Sequence, residues 1–125
     1  MNLTDMEWNV MEMLWEKGAV TGREATEWLE TQLGWSRSTT LTHLRRMEAK
    51  GAVGSSMESG LKTFRPLISR ENAAIAETED FLSRVYKGSL SMMVSSFTRK
   101  QTLSKEEIDQ LYDILEKMEG GREND

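Results

Sequence analysis

Gly18, Gly34 and Gly51 cut the first part of the chain into three stretches, each long enough for only a short helix. Two of these open on the same signal. In Thr4-Asp5-Met6-Glu7 and Thr21-Gly22-Arg23-Glu24 a hydroxyl stands three residues before a glutamate, the pattern of a capping box. The third, Trp35–Gly51, begins with Ser36 or Ser38 as cap and ends on a glycine suited to the left-handed residue past a helix. Ala19 and Val20 can add a short strand between the first two helices. The second and third helices are separated by a turn containing Gly34, which is the arrangement of a helix-turn-helix.

Apolar spacing says which way each helix faces. In the first, Met6, Val10, Met13 and Leu14 form one stripe, while Trp8, Met11 and Trp15 form a second. A helix apolar on two sides is buried on two sides. The tryptophans are read as packing residues in preference to a stacking site. In the second helix Ala25, Trp28, Leu29 and Leu33 point inward. In the third, Thr40, Leu44 and Met47 share the inner side, with Leu41 and His43 flanking them. The opposite arc carries Ser38, Thr39, Thr42, Arg45 and Arg46 and holds no carboxylate. A solvated helix face is the plain reading of such an arc. A helix that reads DNA is the other, because hydroxyls bond phosphates or base edges and arginine can bond guanine O6 and N7 together.

The stretch after Gly51 favours the second reading. Val53–Met57 and Leu61–Arg65 are two strands around a turn at Glu58-Ser59-Gly60, and Pro66 ends the second. Three helices followed by a hairpin make a winged helix-turn-helix, with Lys62, Arg65 and the backbone at Ser59 and Gly60 placed to touch phosphate. The expected base or flanking-phosphate contacts are Ser38, Thr39, Thr42 and Arg46. The expected phosphate contacts are Arg37, Arg45, Lys50, Lys62 and Arg65. A formal net charge of −5 sits awkwardly with DNA until its distribution is considered. From Ser36 to Pro66 the net is +4; from Glu71 onward it is −5. A local basic footprint suits docking to a duplex and disfavours promiscuous binding by charge alone.

The second half reads as helices without a sheet. Ser69 caps a helix from Arg70 to about Lys87, with Ala74, Thr78, Phe81, Leu82 and Val85 inward. After Gly88, Ser89–Phe97 is amphipathic through Leu90, Met93, Val94 and Phe97. Thr98–Leu103 is a linker, and Ser104-Lys105-Glu106-Glu107 is a third capping box. The last helix spaces Ile108, Leu111, Leu115 and Met118 as a packing seam, and Gly120–Asp125 reads as a frayed tail. So short a module seldom buries enough surface alone. A homodimer is expected, through Phe81, Leu82, Val85, Val94, Phe97, Ile108, Leu111, Leu115 and Met118. It would present two reading helices to an inverted-repeat operator. The expected organisation is mainly α, a winged-helix DNA-binding domain over residues 1–68 followed by a helical dimerisation domain over 69–125.

Other classes of function find little support. The sole histidine, His43, flanks a buried side; Glu106 and Glu107 lie in a capping turn; no phosphate-binding glycine loop has the known spacing. An enzyme is not expected, nor any cofactor or metal. The nine methionines could suggest Cu(I) thioether ligands, but most occupy apolar helix positions and read as core. With no cysteine there is no disulfide or thiolate metal site. Lacking a signal-peptide pattern or an apolar run of membrane length, the chain is expected in the cytoplasm without membrane insertion.

E-W-N-V-M-E-M-L-W, S-T-T-L-T-H-L-R-R-M, K-G-A-V, F-L-S-R-V-Y-K-G and I-D-Q-L-Y-D-I-L together resemble the penicillinase-repressor family, BlaI/MecI/CopY. The resemblance implies a dimeric transcriptional repressor of antibiotic-resistance or copper genes. In the resistance branch it further implies a membrane sensor protease system and cleavage at an Asn-Phe bond in the tail. The matching pair here is Ser96-Phe97, without the asparagine. The copper branch uses Cys-x-Cys pairs, which this chain lacks. Family members often carry aliphatic residues where Thr40 and His43 stand, which implies looser packing under this reading helix. Two alternatives remain: a winged helix used for protein interaction, and a regulator responding to metal without thiolates.

Overall fold

The computed structural model describes residues 2–123, and the order of elements is the one the caps and glycines dictate. Helices α1 (Asp5–Lys17), α2 (Gly22–Leu33) and α3 (Arg37–Lys50) are followed by strands β2 (Val53–Glu58) and β3 (Leu61–Pro66). A two-residue strand, β1 (Val20–Thr21), precedes α2. Then come α4 (Arg70–Tyr86), α5 (Leu90–Thr98) and α6 (Lys105–Glu123). Two of the three expected capping boxes form in full: Thr4 and Glu7 bond each other's backbone amides, as do Thr21 and Glu24. At the third, Ser104 Oγ accepts from the Glu107 amide at 3.1 Å.

The three strands make one antiparallel sheet in the order β1-β3-β2, with Val20 opposite Phe64 and Ser55 opposite Phe64 on the other side. β1 thus ties the turn before α2 to the middle of β3. The core beneath is Val10, Met11, Met13, Leu14, Val20, Ala25, Leu29, Leu44, Met47, Ala52, Val53 and Phe64. Met11 and Met13 come from different sides of α1, so that helix is buried on two faces as its double stripe requires. Trp15 packs against the core and donates from Nε1 to the Ile68 carbonyl at 2.9 Å, while Trp8 meets it edge-on.

Thr78, expected inward on α4, is exposed, and Ala73 is buried in its place. In the first three helices two inward assignments are corrected. Met6 and Leu33 are exposed. Each lies at a helix end, where the stripe has run past the neighbours that would cover it. Glu7, next to Met6, is buried instead because its carboxylate has partners.

The chain divides into two compact units, Met1–Asp80 and Phe81–Asp125. The first reaches beyond residue 68, because the start of α4 is anchored on α1. Ala73 is buried, Arg70 pairs with Glu12 at 2.9 Å, and the Leu3 amide donates to Glu77 at 3.1 Å. The second unit, taken by itself, has no buried side chain among its described residues. Phe81, Val85, Phe97, Ile108, Leu115 and Met118 are exposed, and Leu82, Val94 and Leu111 are half-buried. α6 continues through Gly120 and Gly121 to Glu123, so the tail expected to fray from Gly120 is helical there. Two glycines weaken a helix by about 1 kcal/mol each without breaking its hydrogen-bond ladder. Asn124 and Asp125 lie outside the described residues.

Candidate nucleic-acid interface

α3 is held by its two ends and its back. Ser36, not Ser38, is the cap: its Oγ accepts from the Thr39 amide at 3.1 Å and donates to Thr39 Oγ1 at 3.0 Å. Gly34, at φ 71°, ends α2 in the left-handed region and lets the chain turn straight into the cap. Thr40, Leu44 and Met47 are fully buried, as the spacing requires. His43 is accounted for as packing: its Nδ1 lies 2.8 Å from the Thr39 carbonyl, to which it donates, and its ring meets Trp35 at 5.1 Å.

The outer arc emerges with its polar groups largely uncommitted. Arg37, Ser38, Arg45 and Arg46 are exposed, and Thr39 and Thr42 are half-buried. Among the described residues neither Arg37 nor Arg46 has an ion-pair partner. Arg45 folds its Nε back onto the Leu41 carbonyl at 3.3 Å. Ser38 is free to act outward because Ser36 has taken the cap.

The remaining cations expected to touch phosphate are differently placed. Lys50 is drawn away to α1, donating to both Glu7 carboxylate oxygens, at 2.9 and 3.1 Å, and to the Asn2 carbonyl at 2.6 Å. Burial pushes the Glu7 carboxyl up, but the Thr4 amide and the Lys50 ammonium outweigh it and hold the carboxyl below its ordinary value. Lys62 bonds Glu48 at 3.3 Å, and Arg65 bonds Glu58 at 2.7 Å and Ser56 Oγ at 2.7 Å. Glu48 also accepts from Ser55, and that bond, followed by Lys62, holds its carboxyl below the usual range. Sequence reasoning missed Glu7 and Glu48 as organisers of the site. Glu7 was legible only as a capping residue. Nothing local links Glu48 to Ser55 and Lys62, which the hairpin brings to it.

Residues 3–117 match the penicillinase repressor family. The chain is similar to the penicillinase repressor of Bacillus licheniformis, with 33% identity over 91% of this chain and 89% of that one. It is similar to the methicillin resistance regulatory protein MecI of Staphylococcus aureus strain N315, with 28% identity over 92% and 94%. Among solved structures it resembles the DNA-binding domain of the repressor BlaI, with TM-score 0.52 and 27% identity, covering 57% of this chain and 87% of that one. The monomeric form of Bacillus licheniformis BlaI in complex with the blaP half-operator gives TM-score 0.53 and 26% identity, covering 58% and 88%. No helix among the described residues is long and apolar enough to cross a membrane. With its winged-helix order, its carboxylate-free outer arc and these likenesses, the chain belongs to the penicillinase repressor family, whose members are non-enzymatic, DNA-binding transcriptional repressors.

Proposed function

We propose that the chain represses transcription as a homodimer on an inverted-repeat operator, each copy laying α3 in the major groove of one half. The observation that carries the reading half is the outer arc of α3. Ser38, Thr42 and Arg46 present open donors there, and Arg37 is exposed and has no ion-pair partner among the described residues. In this reading Ser38, Thr39, Thr42 and Arg46 meet base edges or flanking phosphates, and Arg37 and Arg45 position the head on the backbone. Lys50, tied to Glu7, serves the fold. That a related repressor was solved on a half-operator supports the two-half arrangement.

The dimer rests on the second unit. A helical unit with no buried side chain among its described residues gains little stability from its own fold. Its apolar residues, Leu82, Val85, Val94, Ile108, Leu111 and Leu115 among them, supply the surface a second copy would cover. Induction in this reading comes from cutting or loosening 89–103, with Ser96-Phe97 as the bond and a membrane sensor protease system as its source. Both residues are exposed near the end of α5, a nine-residue helix that opens cheaply for a protease.

Arg46→Ala tests the reading arc. Binding of a duplex enriched by the full chain from a random library should weaken by about 1–3 kcal/mol, and binding of unselected DNA by less. Equal losses on both would show that Arg46 carries no sequence information.

A further inference from the structure

The wing offers DNA something other than charge. Both of its cations are already matched, Lys62 by Glu48 and Arg65 by Glu58. The Ser55 hydroxyl and Lys62 keep the Glu48 carboxyl ionised well below neutral pH. A phosphate drawn to Lys62 or Arg65 also meets the carboxylate held on the same cation, which offsets part of the attraction.

Beyond these pairs, the hairpin ends on apolar side chains. Met57 is 68% exposed and Leu61 58% exposed. They flank the turn formed by Ser59 and Gly60, both at positive φ, 51° and 79°. Met57 stands opposite Lys62, and Leu61 opposite Glu58. Residues opposite each other share a face and successive residues alternate, so Met57 and Leu61 project from the two faces of one tip. The tip is not independent of the reading helix. Glu48 of α3 holds Ser55 of β2 and Lys62 of β3, which fixes the hairpin against the last turns of α3.

We infer that the wing meets DNA through Met57 and Leu61, seated against the deoxyribose edges of the minor groove beside the site of α3, and not through phosphate ion pairs. The inference rests on the DNA-reading role proposed above. Methionine and leucine are among the apolar side chains that minor-groove-binding proteins bring into that groove, where they wedge between base steps. The sugar edges lining the groove are the apolar surface that a tip which does not wedge can cover. A wing whose charges are already paired adds affinity chiefly where groove shape lets its apolar tip seat.

The test uses the full chain and a fluorescein-labelled duplex that it enriches from a random library, with anisotropy titrations across a potassium chloride series. Met57→Ser with Leu61→Ser should weaken binding by about tenfold or more at every salt concentration, tenfold being what partial burial of the two apolar side chains supplies. The slope of log affinity against log salt should not change. Lys62→Met and Arg65→Met should each move that slope by much less than the ~0.9 expected per lost phosphate contact. Thermal melts check that the tip variants fold, and sedimentation at the same concentrations checks their assembly. Unchanged affinity in the tip variant, or a slope falling by a full contact in either cation variant, would overturn the inference. So would an affinity loss explained entirely by a changed oligomeric state. If Arg46→Ala weakens binding while the tip variant does not, the wing inference alone fails. If neither matters, the DNA-reading role fails with it.

Discussion

Thr40→Val should stabilise this protein. Thr40 is fully buried under the reading helix, and its Oγ1 has no hydrogen-bond partner among the described residues. The obvious acceptor is the Ser36 carbonyl one turn back, which takes the Thr40 amide at 3.1 Å and not the hydroxyl. A buried, unpaired hydroxyl carries a desolvation penalty of about 1–3 kcal/mol. Valine keeps the branched shape and a nearly equal helix propensity, so packing and backbone change little. The net gain should be about 1–2 kcal/mol, after allowing for small repacking losses. For a unit the size of Met1–Asp80 this is a rise in melting temperature on the order of 5–10 °C. Circular dichroism melts of the full chain should be made at one fixed protein concentration, since self-association would make the midpoint concentration-dependent. DNA affinity should be unchanged, because Thr40 faces the core while the reading arc faces out. A valine variant melting at or below the parent would refute the reasoning, showing that the hydroxyl is satisfied or that the site needs a polar atom.

Glu7→Gln should lower stability at neutral pH by about 1–3 kcal/mol, through loss of the charge that holds Lys50 and the cap. The Glu7 carboxyl is depressed when folded, so its contribution is present above the ordinary carboxyl range and fades as pH falls through the folded value. Denaturant titrations should therefore show the gap between variant and parent closing in acid; a gap independent of pH would rule out the charge as the cause. Leu111→Asp should shift sedimentation from dimer to monomer, because it places a charge in the proposed seam; an unchanged distribution at low concentration would remove the seam. Incubation with the cognate sensor system should yield, by intact mass, a fragment ending at Ser96. An intact chain released from DNA would point to a ligand or partner as inducer.

The parts of this fold legible in the sequence are local ones. Hydroxyl-x-x-glutamate caps on α1 and α2, a lone serine cap on α3 and three glycines place these helices because a helix end must satisfy its own free amides from residues at hand. The inner side of α3, Thr40, Leu44 and Met47, comes from a period of 3.6 residues, and the outer arc comes with it. The hairpin and its turn were legible for the same reason. Which cations stay available was settled by packing alone. Lys50 and Lys62 look like Arg37 and Arg46 on paper. Their separation into paired and unpaired depends on Glu7 and Glu48, which lie 43 and 14 positions away along the chain. Packing also closed β1 onto β3 and bound the first turns of α4 to α1. No pattern of neighbouring residues encodes such partnerships, because they depend on where the folded backbone carries distant side chains.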